Sequence, residues 1–195
     1  MVGFFKGYAV KLKTIFYLTF MSITILLCFF KVGYPDFKGD VYSSSGEIYI
    51  NRMFLEIEDG DTVIYKGDYI RFLGVDTPEI KNSEVGIFED QPYGREAKEF
   101  VRRQIMQAKR VTFIPVGVDR YGRTLAHLFV DGYPLSLKIV EYGYGYETIT
   151  SFGDNGFPDI AERILNAAKL HKKLPFENPW LWRKRHQIKH KGLKH

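Results

Sequence analysis

Three short stretches of this 195-residue chain concentrate the residue types that do chemistry: Asp59-Gly60-Asp61-Thr62, the run from Arg71 to Glu79 (RFLGVDTPE), and Asp119-Arg120-Tyr121-Gly122-Arg123. Carboxylates gathered in one place repel and raise each other's pKa unless a cation neutralises them. A hard cation such as calcium suits such a cluster, because it accepts carboxylates, backbone carbonyls and waters at variable coordination number. Glu79, three residues past Asp76 and beyond Pro78, has the length to reach over a metal-bound water. Planar guanidinium groups, here those of Arg71 and Arg123, suit two phosphate oxygens at once and the extra negative charge of a pentacovalent phosphorus. Taken singly, DGDT or YGR is ordinary turn chemistry.

The elements around these residues must bring them together. Asp61 to Tyr65 and Tyr69 to Val75 read as two strands of a hairpin turning at Lys66, Gly67 and Asp68. That pairing carries Asp61 towards the far part of the second strand, where Asp76 lies. Arg71 is harder to place, since five residues separate it from Asp76 and an odd separation puts them on opposite faces of an ideal strand. A bend or bulge is needed to reunite them. Pro78 has no amide hydrogen and restricts Thr77, so the chain is expected to leave the sheet there.

Around this hairpin the patterning predicts a strand within residues 48–57, a long loop over 80–93, and a helix from Arg95 to Ala108 with Ala97, Phe100, Val101 and Ile105 on one face. Strands at Val111–Val116 and Arg123–Val130 follow, then helices over 135–142 and Asp159–Lys172. The fold class is mainly β with α: five short strands closing as a small barrel, which removes sheet edges, with about three helices outside. Trp180 and Trp182 are expected to pack the last helix or the barrel mouth, and His127 to be structural.

Net charge is +5, but ten of the 28 Lys and Arg lie in residues 1–35 and 183–195, which hold none of the 23 acids. The middle of the chain is therefore net acidic, which excludes a uniformly basic nucleic-acid-binding domain. Any anionic substrate must be received by local arginines or a cation. Cys28 is the only cysteine, so no intrachain disulfide forms.

Thr14 to Phe30 carry no charge, and as a helix they would span roughly 25 Å, at the short end of what crosses a bilayer. Lys6, Lys11 and Lys13 precede the run, so the positive-inside rule puts the amino terminus in the cytoplasm and the folded part outside. The expectation for residues 1–31 is a basic cytoplasmic start followed by an uncleaved membrane anchor, a hydrophobic helix; a cleaved signal and secretion, or a buried helix, are the alternatives. Residues 32–47 read as a linker, 48–182 as the folded domain and 183–195 as a basic tail.

The motifs DGDT at 59–62, RFLGVDTPE at 71–79, YGREA at 93–97 and DRYGR at 119–123 leading into TLAHLFVDG occur together and in order. In this the chain resembles the thermonucleases, the staphylococcal-nuclease-like enzymes with an OB fold, over about residues 48–182. The resemblance implies that Asp61 and Asp76 are side-chain ligands of calcium, with the backbone carbonyl of Thr77 as another. It implies that Glu79 orients or deprotonates the attacking water and that Arg71 and Arg123 hold the phosphate, with Asp59 adjoining the metal and Arg120 and Tyr121 flanking the nucleotide. The implied activity is hydrolysis of DNA or RNA to 3′-phosphate products by a monomer. Two features depart from the family pattern: the loop from Ile80 to Tyr93, and Tyr142, Tyr144 and Tyr146, whose register with the family's stacking tyrosines is open. The alternative function is a noncatalytic OB-fold module that binds nucleic acid or protein at the membrane; it predicts loss of the arginines and glutamate, all of which are present.

Overall fold

Lys66 and Gly67 both adopt positive φ, 55° and 92°, giving a two-residue hairpin turn whose twist matches the strands it joins. The turn sets the register of β3 (Thr62–Tyr65) against β4 (Asp68–Phe72), with Tyr65 opposite Asp68 and Thr62 opposite Arg71. The structure is a computed structural model and describes residues 46–171 and 173–187. The segment read as a membrane anchor lies outside the described residues. Among the described residues no helix is long and apolar enough to cross a membrane.

The expected first strand is two short ones, β1 (Ile48–Tyr49) and β2 (Leu55–Ile57), separated by a 3-10 turn over Arg52–Phe54. The Asn51 side chain caps that turn, and the Arg52 guanidinium donates to the carbonyls of Ile105 and Ala108. Strand β1 pairs with β6 (Val111–Val118), β6 with β7 (Thr124–Val130), β7 in parallel with β4, and β3 with β2. The ladder thus begins and ends on one stretch of chain, 48–57, and the mixed sheet curls into the OB-like form that the family resemblance implied. Strand β8 (Tyr133–Pro134) folds back and pairs antiparallel with the end of β7.

One expected strand is broken. Residues 69–75 do not run continuously; β4 stops at Phe72, Gly74 takes φ 85°, and β5 (Val75–Asp76) pairs instead with β9 (Tyr146–Glu147) in a separate two-stranded ladder. Pairing of so short a pair across 70 residues leaves no periodic signal.

Helix α1 (Gly94–Gln107) buries Ala97, Phe100, Val101 and Ile105, the face its spacing predicts. Helices α2 (Leu135–Glu141), α3 (Ile149–Phe152), α4 (Pro158–Lys169) and α5 (Pro179–His186) follow, so the described residues hold five α-helices rather than three. The core is apolar and continuous: Val63, Ile70, Phe72, Ala126 and Leu128 of the sheet meet Leu135, Ile139, Ile160 and Ile164 of α2 and α4. Burial of this kind, at about 25 cal/mol per Å² of apolar surface, gives the rim of the sheet a rigid base.

Candidate active site

Gly74 resolves the difficulty of Arg71 and Asp76. Its positive φ turns the chain between β4 and β5, so residues that an unbroken strand would set on opposite faces meet: Arg71 Nη2 donates to Asp76 Oδ1 at 2.8 Å. The same guanidinium forms an ion pair through Nη1 with Asp61 Oδ1. Asp61, at the entrance to β3, is 2% exposed and Asp76 is 6% exposed. Asp61 Oδ2 accepts hydrogen bonds from the Thr77 backbone N–H at 2.8 Å and the Thr77 hydroxyl at 3.0 Å, which ties the DGDT turn to the end of β5. Asp59 Oδ1 accepts from the Asp61 N–H at 2.9 Å. Burial pushes the Asp59 carboxyl above its ordinary range, while Arg71 and Arg123 pull against it.

Glu79 lies past Pro78 and is held by its backbone. The Glu79 N–H donates to Gln91 Oε1 at 3.2 Å, and the Glu79 carbonyl accepts from the Gln91 N–H at 2.9 Å. Gln91 is itself buried, and its Nε2 donates to the Glu177 carbonyl at 2.6 Å. Helix α1 begins hard against the same residue, since a Cβ on Gly94 would collide with the Glu79 carbonyl oxygen. Burial raises the Glu79 pKa; the Arg183 charge opposes this, and the neighbouring Asp59 and Asp76 charges add to it.

Arg183 is a site residue that the sequence did not single out. Its Nη1 and Nη2 lie 3.1 and 3.0 Å from the two oxygens of Asp76, and Nη1 also pairs with Glu79 Oε1. In the sequence it opens a run of six basic residues without an acid, which reads as a solvated tail. The available signal was Asn178-Pro179, a capping residue followed by a first-turn proline, which starts a helix through Arg183.

The other expected residues stand apart from this cluster's hydrogen bonds. Arg123 Nε donates to Asp119 Oδ2 at 2.8 Å, and the Asp119 carboxylate also accepts from the Tyr121 and Arg123 N–H groups. Those hydrogen bonds outweigh burial and lower the Asp119 pKa. The Arg123 charge is nevertheless felt at Asp59. Tyr121 is 69% exposed, with the Arg120 guanidinium 4.8 Å from its ring centre and bonded to its hydroxyl at 2.7 Å. Tyr142 and Tyr144 pack on Phe100, and the Tyr146 hydroxyl donates to the Phe176 carbonyl at 3.0 Å.

The donor chemistry fits a hard cation: Asp61 and Asp76 are oxygen donors joined by a single guanidinium, with the Thr77 backbone between them and Glu79. Four acids, Asp59, Asp61, Asp76 and Glu79, interact with three arginines, Arg71, Arg183 and, through Asp59, Arg123, which leaves one more acid than arginine for a cation to offset. Among the described residues no three His, Cys, Asp or Glu side chains stand as a ready-made metal cluster. Coordination would combine two carboxylates with backbone carbonyl and water, as oxygen-rich calcium sites do.

Acids and arginines thus gather where the strands of an OB-like curled sheet end. The chain belongs to the staphylococcal nuclease homologue family, whose model matches residues 69–173. It is 30% identical over 138 residues to a thermonuclease of Staphylococcus hyicus, covering 68% of this chain and 79% of that protein. It is 30% identical over 128 residues to a thermonuclease of Staphylococcus intermedius, covering 63% and 73%. To the endonuclease YncB of Bacillus subtilis strain 168 it is 33% identical over 127 residues, 60% of this chain and 59% of that one.

Proposed function

We propose that this protein is a calcium-dependent nuclease that hydrolyses phosphodiester bonds of DNA, RNA or both, leaving 3′-phosphate ends. The observation that carries this reading is the single Arg71 guanidinium reaching both Asp61 and Asp76, with Glu79 bonded to the same cluster through Arg183. Relatives named thermonuclease and endonuclease support it.

In this reading Asp61, Asp76 and the Thr77 carbonyl hold calcium. When bound, the ion offsets the buried carboxylates and polarises a phosphoryl oxygen. Glu79, its pKa raised by burial, takes a proton from the attacking water, as a general base must have affinity enough to accept one. Arg71 and Arg123 donate to the phosphate oxygens, whose charge grows in the transition state. Arg120 and Tyr121, exposed on the turn before Arg123, flank the nucleotide, and Asp59 holds the Asp61 backbone. The protein acts as a monomer, tethered outside the cytoplasm by residues 14–30; membrane fractionation of the full chain against a variant lacking that segment tests the tether.

The full-length chain, incubated with single-stranded DNA, duplex DNA and RNA in calcium and in chelator, should cleave in calcium alone. End-group analysis should find 3′-phosphate. Calcium binding without cleavage of any of the three polymers would favour the noncatalytic binding module.

A further inference from the structure

Helix α5 is fastened over the acidic cluster. Asn178 caps it by accepting from the Trp180 N–H at 3.0 Å, Trp182 is buried and stacks on His186, and Gln187 Nε2 donates to the Val85 carbonyl at 2.7 Å. Before the helix, Gln91 and Tyr146 bond the carbonyls of Glu177 and Phe176. These contacts fix Arg183 in place, and its side chain is only 27% exposed. Its fork spans both oxygens of Asp76 and reaches Glu79, a geometry that planar guanidinium achieves and ammonium does not.

We propose that Arg183 sets the metal affinity of the site: its guanidinium and a divalent cation compete for the Asp76 carboxylate, so metal occupancy is coupled to the seating of α5. The inference rests on the calcium site proposed above. Asp76 Oδ1 already accepts from Arg71 and Arg183, and Oδ2 accepts from Arg183. Three of the roughly four acceptor positions of this carboxylate are thus filled, two of them by Arg183, so a cation that needs more than the one position left on Oδ2 competes with the guanidinium bonds. The two positive charges also repel at close range. Arg183 lies beyond residue 173, where the family match ends.

The two tryptophans of the chain, Trp180 and Trp182, both lie on α5, so their fluorescence reports on that helix. The test titrates calcium alone into the full-length protein, reading affinity by calorimetry and tryptophan emission in parallel. Arg183→Met should bind calcium at least about tenfold more tightly, and calcium should change its tryptophan emission less than in the parent. Arg183→Lys, which keeps the charge without the fork, should fall between and serves if the Met variant does not fold. Arg185→Met, two positions on and paired with Glu177 instead, controls for net charge and should keep parental affinity. Unchanged or weaker calcium binding by both Arg183 variants overturns the inference while leaving the nuclease reading intact. An equal gain in Arg185→Met overturns it too, by reducing the effect to general charge. Absence of calcium binding by the parent overturns both readings.

Discussion

Arg71 and Asp76, five residues apart and in different strands, share a 2.8 Å charge-assisted hydrogen bond because the chain between them bends at Gly74. Leu73 keeps its N–H in the main sheet by donating to the Ala126 carbonyl at 2.9 Å, whereas Gly74 already accepts from the Thr148 N–H at the second ladder. The bend transfers the chain from one sheet to the other and sets Asp76 beside Arg71 and Asp61.

Gly74→Ala should therefore damage both stability and site. A φ of 85° is strained for any residue with a Cβ, and that Cβ would stand 2.8 Å from Ile164 Cδ1. Left-handed backbone alone costs about 1–2 kcal/mol, and the contact adds to it. Chemical denaturation should show a loss of at least that size, together with reduced cleavage at saturating calcium. A variant with parental midpoint and parental turnover would disprove the role given to this bend.

Arg71→Lys tests whether the fork, and not charge alone, matters. A lysine cannot span Asp61 and Asp76, nor hold two phosphate oxygens in one plane. Loss of one transition-state donor costs about 3–4 kcal/mol, so turnover should fall about 100- to 1,000-fold. Glu79→Gln should fall by a comparable factor, since it removes the proposed proton acceptor and keeps the shape. Near-parental turnover in either variant, measured under saturating calcium, contradicts the assigned roles.

The hairpin, the face of α1 and the proximity of Asp61 to Asp76 were legible because each depends on local rules: a two-residue turn, helical spacing, antiparallel register. Arg71 was not placed by those rules, since strand alternation is broken at a single glycine whose φ the sequence does not display. Arg183 was hidden for a different reason. Its basic neighbours resemble a solvated tail, and its partners Asp76 and Glu79 stand 107 and 104 positions away. Gln91 sits in the loop that departs from the family pattern, where only tertiary structure reveals the two elements it joins.

Gln91→Leu should loosen the Glu79 backbone from the segment that leads into α5. The substitution keeps bulk but leaves the Glu79 N–H and the Glu177 carbonyl without their side-chain partners. Unsatisfied buried groups cost about 1–3 kcal/mol each. A small displacement of a catalytic group can lower the rate up to about 100-fold. Turnover should drop with little change in KM, because the hydrogen bonds of Gln91 go to Glu79, Glu177 and Gly94 and to neither arginine proposed to hold the phosphate. A pure KM effect would place Gln91 in substrate binding instead.

His127 should make the protein acid-sensitive in a defined window. It is 1% exposed, its ring lies 4.5 Å from that of Phe157, and neither ring nitrogen has a hydrogen-bond partner among the described residues. Burial penalises the imidazolium and lowers the pKa to about 4 from the ordinary 6.5. Between those values the unfolded chain binds a proton that the folded chain refuses, so stability falls as pH drops from 6.5 towards 4 and this contribution levels off below. The full shift corresponds to about 3 kcal/mol, of which about 2 should be lost between pH 7 and pH 5. His127→Leu removes the titrating group and the two unpartnered nitrogens. Urea denaturation at the two pH values should show the parent losing about 2 kcal/mol more than the variant, which at pH 7 should be at least as stable. Parallel losses in the two proteins would mean that another group governs the acid response.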